Sequence, residues 1–241
     1  MYTKSLLLAL AAAPLVFAHG KVAVVAGDAG GNGTALGIMG AVVPGPGPNK
    51  KTELDTTVFG KTDIQTDGLG KTNAGGQNKA ADLSAAMAQS GSTLPQVSAS
   101  GGSISGTFHV VTTDGAGPIK AVLDPTGTGS FSNGVMLDAT TQVPGTNGNI
   151  KPSNKRGLWT RAMDSIMKRA ANVNEDFPMA FSVPAGTTCT GSMAGQSNVC
   201  LVKIANSNKA GPFGGVIAIQ MAGSAAASNS TAKREARSFS A

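Results

Sequence analysis

Short runs of β-branched and aliphatic residues, separated by turn residues, restrict the fold of this chain more than any other feature. Long amphipathic helical patterns are nearly absent, and 80–89 is the one good short helix. The 33 Gly and 12 Pro residues place turns between the runs. Strands are predicted at 21–26, 103–112, 119–123, 135–137, 179–183, 199–204 and 216–221. The pattern predicts an all-β, immunoglobulin- or fibronectin-like β-sandwich with long glycine-rich loops.

The first eighteen residues, MYTKSLLLALAAAPLVFA, have the pattern of a secretory signal peptide. Lys4 supplies the positive charge, 5–13 is a short apolar run, and Val16 and Ala18 are small residues at the positions that signal peptidase recognises. Cleavage is therefore predicted before His19, which makes the protein secreted, extracellular or bound to the cell surface. No later stretch has the roughly 20 apolar residues of a membrane-spanning helix, so no transmembrane segment is predicted.

The mature chain is predicted to form one β-sandwich domain over 19–223. Within it, 42–76 is a mixture of Pro, Gly, Thr, Asp and Lys that predicts loop with little core, and 151–176 is predicted to be a basic insertion. The segment 224–241 is predicted to be a disordered tail, because it is rich in Ser, Ala and Asn and then charged.

The net charge of +6 is concentrated in one segment. Six basic residues and one acid in 151–169 give this segment +5, so the rest of the mature chain is about neutral and no nucleic-acid partner is expected. Two dibasic pairs, Lys155-Arg156 and Lys168-Arg169, flank a short amphipathic sequence there. They are either processing sites around a cationic peptide or part of a solvated surface loop.

Two cysteines, Cys189 and Cys200, are expected to form one disulfide in an oxidising compartment. Two further residues, Asn32 and Asn229, begin Asn-X-Ser/Thr sequences and are predicted glycosylation sites.

The chain has two histidines, His19 and His109, and one of them is the predicted first residue of the mature protein. A terminal histidine can chelate one metal through its α-amino group and its imidazole together. A second imidazole, from His109, completes a set of three nitrogen ligands, which in a flat arrangement selects Cu(II). The sequence therefore predicts one copper ion at these two residues.

This arrangement resembles the histidine brace of the lytic polysaccharide monooxygenases, secreted copper enzymes built on an immunoglobulin-like sandwich. The resemblance implies that His19 gives the amino and one imidazole nitrogen and His109 the third nitrogen. It also implies an aromatic ring at the axial position, and Phe213, in GPFGGVIAIQ, is the candidate for this non-bonding role. Gln220 is a candidate polar residue behind the ligands. The partner implied is a polysaccharide of a cell wall or cuticle.

The wider sequence resembles the Egh-type family of secreted fungal proteins. The resemblance is carried by the mature start HGKV and by the segments VPAGTTCTGS, NVCLVKIAN and AGPFGG, and it extends from His19 to about Met221. The family implies a role at appressoria and in penetration of a host, in the manner of a virulence factor, and it implies no established enzyme activity.

Two functions therefore remain open. In the first, the protein is a copper-binding surface protein with oxidative activity on a polysaccharide. In the second, it is a non-catalytic structural or adhesive surface protein in which His19 is incidental. The second is favoured by the scarcity of aromatic rings that could grip a flat polysaccharide, since Trp159 is the single tryptophan and Tyr2 leaves with the signal peptide.

Overall fold

The computed structural model describes residues 19–40, 54–151 and 172–223. Within these ranges one α-helix, α1 (Leu83–Ser90), follows a 3-10 turn at Ala80–Asp82. The strands are β1 (Gly20–Gly27), β2 (Gly30–Gly33), β3 (Thr57–Val58), β4 (Lys71–Thr72), β5 (Gly76–Gln77), β6 (Gln96–Ser98), β7 (Gly102–Thr112), β8 (Ile119–Asp124), β9 (Val135–Leu137), β10 (Ala139–Thr141), β11 (Asn172–Val183), β12 (Gly191–Met193), β13 (Gln196–Asn206) and β14 (Phe213–Ala222).

These strands form two sheets that pack face to face. The first sheet has the order β10-β11-β7-β1-β2, and the second has the order β5-β4-β3-β14-β13-β8-β9, with β12 beside β13 and β6 beside β14. Neighbouring strands are antiparallel, apart from the parallel pair of β6 and β14. The predicted all-β sandwich is confirmed.

The core between the sheets is aliphatic with a few phenylalanines. On β7, Phe108 and Val110 are fully buried, and on β14 Ile217 and Ile219 are fully buried in the same cluster. Residues two apart share a face of a strand, so these pairs define the inward faces of the two sheets. Each fully buried side chain of this size contributes about 1.5–3 kcal/mol relative to an exposed one.

The second sheet is buried on its outer face as well. A separate apolar cluster there contains Leu83 of α1 together with Phe59, Ile64 and Phe131 from loops. This explains why β13 is buried without interruption from Val199 to Asn206, because a strand covered on both faces reads as a continuous apolar run. The expectation that 42–76 adds little core is wrong, since Phe59 and Ile64 of this glycine-rich segment fill the outer cluster.

Several strands extend beyond the predicted bounds. The most consequential is β11, which begins at Asn172 and pairs with β7 along most of its length, so the last residues of the predicted basic insertion belong to the first sheet.

Four predicted features lie outside the described residues: the signal peptide, both dibasic pairs, Trp159 and the tail. No helix in the described ranges has the length and apolar character needed to cross a membrane.

The predicted disulfide is confirmed. Cys189 and Cys200 are bonded and buried in the core between the sheets, with 4.9 Å between their Cα atoms. The bond ties the loop before β12 to the centre of β13. The eleven-residue separation corresponds to about 3 kcal/mol of stabilisation on the chain-entropy model.

Candidate metal centre

His19 lies immediately before β1 and is held against the end of β7. Its carbonyl oxygen accepts hydrogen bonds from the backbone nitrogens of Val111, at 3.0 Å, and Thr112, at 3.3 Å. Its own backbone nitrogen donates to the Thr112 hydroxyl oxygen at 2.8 Å. The residue is fully buried. The predicted first residue of the mature chain is therefore a fixed part of the fold.

Two glycines permit this close approach. A Cβ atom on Gly115, in the loop after β7, would lie 1.9 Å from the His19 carbonyl oxygen. A Cβ atom on Gly20 would lie 2.2 Å from the Gly115 carbonyl oxygen. Since real atoms do not approach so closely, any side chain at either position would push the head of β1 away from the loop after β7.

The imidazole of His19 packs on the ring of Phe213. The ring centroids are 6.0 Å apart and the ring planes are inclined by 27°. Phe213 is buried at the start of β14, and its backbone nitrogen donates to Asn206 Oδ1 at 2.9 Å. The amide nitrogen of Asn206 donates in turn to the Ala116 carbonyl oxygen at 2.8 Å, which links Phe213 to the loop that contacts His19. The structure thus brings together two residues that the brace resemblance selected.

His109 lies on β7 with its side chain 13% exposed. Its Nδ1 atom is 2.6 Å from Asp176 Oδ1, and its Nε2 atom is 3.1 Å from Asn174 Oδ1. An ionised carboxylate only accepts hydrogen bonds, so Nδ1 carries the proton. Asn174 Oδ1 is also an acceptor, so its contact with Nε2 is a hydrogen bond only while Nε2 carries a proton; Nε2 becomes the atom that could bind a metal once Asn174 is displaced and that proton is absent.

The strand register places His109 and Lys21 together on the outward face of the first sheet, because Phe108 and Val110 on either side of His109 face the core. Lys21 lies directly opposite His109, and the Val111 amide, two residues further along β7, bonds the His19 carbonyl. The His19 backbone therefore lies near that of His109, but its imidazole packs on Phe213, which is on the same side of β14 as the inward-facing Ile217 and Ile219. A shared ion would require the His19 ring to turn toward the face that carries His109.

The surroundings of the two histidines carry charge. Lys21 Nζ donates to Asp55 Oδ1 at 3.0 Å, in an ion pair that is almost completely buried. The register aligns Asp176, His109 and Lys21 across three strands. Burial raises the pKa of the Asp114 carboxyl, although a hydrogen bond with the Thr112 side chain partly offsets this effect.

Across the described ranges, no group of three or more His, Cys, Asp or Glu side chains is arranged to hold a metal. The metal prediction therefore depends on the His19 amino nitrogen.

The remaining predicted site residues lie elsewhere. Gln220 is seven residues along β14 from Phe213, and its side chain bonds Gln96 and the Ser197 carbonyl, so the structure does not bring it to His19. Asn32 is an exposed residue of β2, and its glycosylation remains a prediction. Asn229 lies outside the described residues.

Sequence reasoning missed the residues that hold the histidines in place. Asp176 and Asn174 fall in the segment interpreted as a basic insertion, and Thr112 was seen only as the end of a strand. The glycine-proline turn after β7 was visible in the sequence, but nothing indicated that Gly115 contacts His19, the residue predicted to begin the mature chain.

These features define a disulfide-bonded β-sandwich protein whose predicted first mature residue lies in a buried polar and aromatic setting. The model of the Egh16-like virulence factor family matches residues 17–214. The chain therefore belongs to the Egh16-like virulence factor family.

Named relatives agree with this assignment. Appressoria-specific virulence factor GAS1 of Pyricularia oryzae (strain 70-15) is 40% identical over 227 residues, which cover 93% of this chain and 80% of the relative. Appressoria-specific virulence factor GAS2 of the same fungus is 29% identical over 276 residues, which cover 90% of this chain and 88% of the relative. The chain is a fungal virulence-associated protein by this relationship. No solved structure matches it.

Proposed function

We propose that the chain is secreted, matures at His19, and acts at the fungal surface during host penetration as a protein that binds one copper ion. The relatives named for appressoria support the setting, and the signal-like first eighteen residues support secretion. The His19 amino nitrogen, the His19 imidazole and His109 Nε2 would hold the ion, and the Phe213 ring would lie beside it. The observation that carries the proposal is the packing of the His19 imidazole on Phe213.

The contacts of His109 fit a ligand role. A metal-binding histidine usually donates its other ring N–H to a carboxylate, which fixes the ring and raises the basicity of the ligating nitrogen. Asp176 accepts such a bond from Nδ1 at 2.6 Å. Asn174 would have to leave Nε2 for His109 to hold a metal, and it lies at a backbone φ of 53°, in a strand irregularity at the end of the sheet. Three nitrogen donors of this kind favour copper over magnesium or calcium.

Copper in this set would supply one-electron redox chemistry, which oxidative attack on a wall or cuticle polysaccharide requires. The chain's residues contribute the fixed position of His19, the orientation of His109 and a neighbouring aromatic wall. The exposed large apolar side chains in the described ranges are Val24, Met39, Val135 and Met136, and none is an aromatic ring on which a sugar could stack. This composition favours a soluble or irregular glycan over a flat crystalline surface as the substrate.

The second candidate is a structural or adhesive surface protein without a metal. The observation that favours it is the hydrogen bonding of both histidines within the protein. His19 is fully buried against β7, and both ring nitrogens of His109 are bonded to side chains of β11. Under this candidate His109 joins β7 to β11, and copper has no specific site.

Copper titration followed by electron paramagnetic resonance separates the two candidates. The protein is secreted from a fungal host, and mass spectrometry first confirms that it begins at His19. The brace predicts one tight Cu(II) per chain with nitrogen hyperfine structure, lost when Gly-Ser precedes His19 and lost in His109→Ala. Asp176→Asn keeps the shape of the side chain but weakens orientation of His109, and it should weaken copper binding about 10- to 100-fold. Equal binding by all four proteins would leave the metal-free candidate.

A further inference from the structure

The outer face of the first sheet carries small side chains over the half that lies away from the head of β1. The strand register places one residue from each of four strands in a row across it: Asn32 of β2, Ala26 of β1, Ser105 of β7 and Ala180 of β11. Ile104, next to Ser105, is buried in the core between the sheets, so the row points the opposite way. Asn32 and Ser105 are exposed to solvent.

One apolar side chain of this outer face is exposed. Val24 lies two residues before Ala26 on β1, so it points the same way, and it is 51% exposed. It pairs with Thr107 of β7, and Thr107 pairs in turn with the exposed Pro178 of β11. A single exposed valine identifies no partner by itself, so the occupant of this face has to be indicated by another residue.

Asn32 is that residue, because it begins an Asn-X-Thr acceptor sequence. Asparagine is common in turns, where it tolerates a positive φ and its side chain bonds the nearby backbone. Here Gly30 and Gly31 have the positive φ values, and Asn32 does not. The Asn32 side chain makes no hydrogen bond to any residue that the structure describes. Its exposed amide group is therefore available to carry a glycan.

A glycan on Asn32 would begin within reach of Val24. Asn32 lies directly opposite Ala26, so Val24 is its diagonal neighbour across the two strands, a position with about 7–8 Å between Cα atoms. The first two sugars of an N-linked glycan are N-acetylglucosamine rings, which have apolar faces of C–H groups. Glycines at 31 and 33 and the small side chain of Ala26 leave the path between Asn32 and Val24 open.

We propose that Asn32 carries an N-linked glycan whose first sugars lie on the outer face of the first sheet and cover Val24. Burial of the valine against the sugar rings removes apolar surface from water and so stabilises β1 and β2 in the folded protein. This inference rests on the secretion that the proposed function includes, but it does not rest on copper.

The third residue of the acceptor sequence sets the order of events. Thr34 is buried, and its hydroxyl group donates to the Ala23 carbonyl oxygen at 2.8 Å. The glycosylating enzyme has to read this hydroxyl group together with Asn32, so the glycan is added before β2 pairs with β1. The glycan is therefore already in place when the sheet forms.

Peptide mapping of the protein secreted from a fungal host tests the modification. All proteins carry Asn229→Gln, so that Asn32 begins the one remaining Asn-X-Ser/Thr sequence. The peptide that contains Asn32 should be glycosylated. An unmodified Asn32 in protein that is secreted and begins at His19 would overturn the proposal while secretion stands.

A double-mutant cycle tests the contact with Val24. Four secreted proteins combine Asn32 or Asn32→Gln with Val24 or Val24→Thr, and their unfolding is measured in urea. Loss of the glycan should raise the unfolding equilibrium constant about fivefold with Val24 present, because the exposed half of the valine returns to water. With Val24→Thr the same loss should have an effect of less than about twofold, since the apolar contact is already weakened.

Two controls make the cycle specific. Val135→Thr changes a valine of similar exposure, 44%, on β9 of the other sheet, and it should leave the effect of the glycan unchanged. In unglycosylated protein from a bacterial periplasm, Asn32→Gln should be neutral, because the substitution alone removes no hydrogen bond within the described ranges.

Two results of the cycle would overturn the contact. One is a glycan effect of the same size with Val24 and with Val24→Thr. The other is a wild-type dimer that Val24→Thr dissociates, which would assign the outer face to a second copy of the chain. The cycle contains no copper, so either result leaves the copper proposal standing, and a failed copper titration leaves the glycan contact standing.

Discussion

Lys203 is a charged residue in the middle of the most buried strand, and its substitution by methionine should stabilise the protein in a pH-dependent way. Its side chain lies on β13, fully buried in the outer cluster. The Nζ atom is 4.1 Å from the centroid of the Phe59 ring and 5.6 Å from that of Phe131, and it donates to the Thr66 carbonyl oxygen.

The magnitude follows from the pKa of this amine. Burial lowers the pKa of Lys203 from its ordinary 10.5 to about 8, although Asp67 and Asp63 oppose the shift. Below pH 8 the amine is charged in both the folded and the unfolded state, so the folded state bears the full cost of the buried charge. Between pH 8 and 10.5 the unfolded state binds more protons, so stability rises with pH. Between pH 7 and pH 10 the titration of Lys203 should raise the free energy of unfolding of the wild-type protein by about 2.5 kcal/mol.

The Lys203→Met variant should lack this rise in the free energy of unfolding, because methionine does not titrate. Methionine fills a similar volume without a charge, and replacement of a buried ion by an apolar side chain is often neutral or stabilising. The free energy of unfolding of Lys203→Met minus that of the wild type should therefore be largest near pH 7. It should fall by about 2.5 kcal/mol at pH 10.

Urea unfolding at pH 7 and pH 10 measures this difference directly. A protein that begins at His19 has no tyrosine, and its two cysteines form the disulfide, so the groups that titrate between pH 7 and pH 10 are amines. Lys120→Met, at an exposed position of β8, is the matched control and should show little change with pH. A Lys203→Met difference that stays constant between the two pH values would refute the assignment of a buried, weakly basic amine.

Three further predictions concern the site and its support. Gly115→Ala should displace His19 and so lower both the thermal stability and the copper affinity, measured by thermal unfolding and copper titration. The control is Gly60→Ala, whose Cβ would meet nothing closer than 3.6 Å and which should change neither. Phe213→Leu should cost about 1–2 kcal/mol in urea unfolding and alter the paramagnetic resonance spectrum of bound copper while one ion still binds; an unchanged spectrum would contradict the axial role. Cys189→Ser should lower the free energy of unfolding by about 3 kcal/mol, and a loss under about 1 kcal/mol would show that the bond constrains little.

The sequence predicted the sandwich because its signals are local. Alternation along 103–112 places Phe108 and His109 on opposite faces, and the turn residues around each run limit the strands. The uninterrupted apolar run at 199–202 is typical of a strand covered on both faces, but nothing local indicates that the lysine next to it is covered as well, so the burial of Lys203 could not be predicted. The segment 42–76 was interpreted as loop with little core because its sequence is rich in turn residues. Its Phe59 and Ile64 enter the outer cluster only through packing against distant strands.

The candidate site was predictable only in part. His19, His109 and Phe213 were selected by residue type and by resemblance, and the contact of His19 with Phe213 followed in the structure. Their supporting residues could not be found in this way, because Thr112 is 93 residues from His19 and Asp176 is 67 residues from His109. Such pairs depend on the register between distant strands, and a single-residue slip would replace every one of them.

The most direct test of a copper brace at the mature terminus is a crystal structure of the secreted, copper-loaded protein with anomalous data at the copper edge. The brace predicts one anomalous peak per chain, within bonding distance of the His19 amino nitrogen, the His19 imidazole and His109 Nε2, with Asn174 displaced and the Phe213 ring alongside. A well-ordered terminus without a peak there, with His109 still bonded to both Asp176 and Asn174, would contradict it.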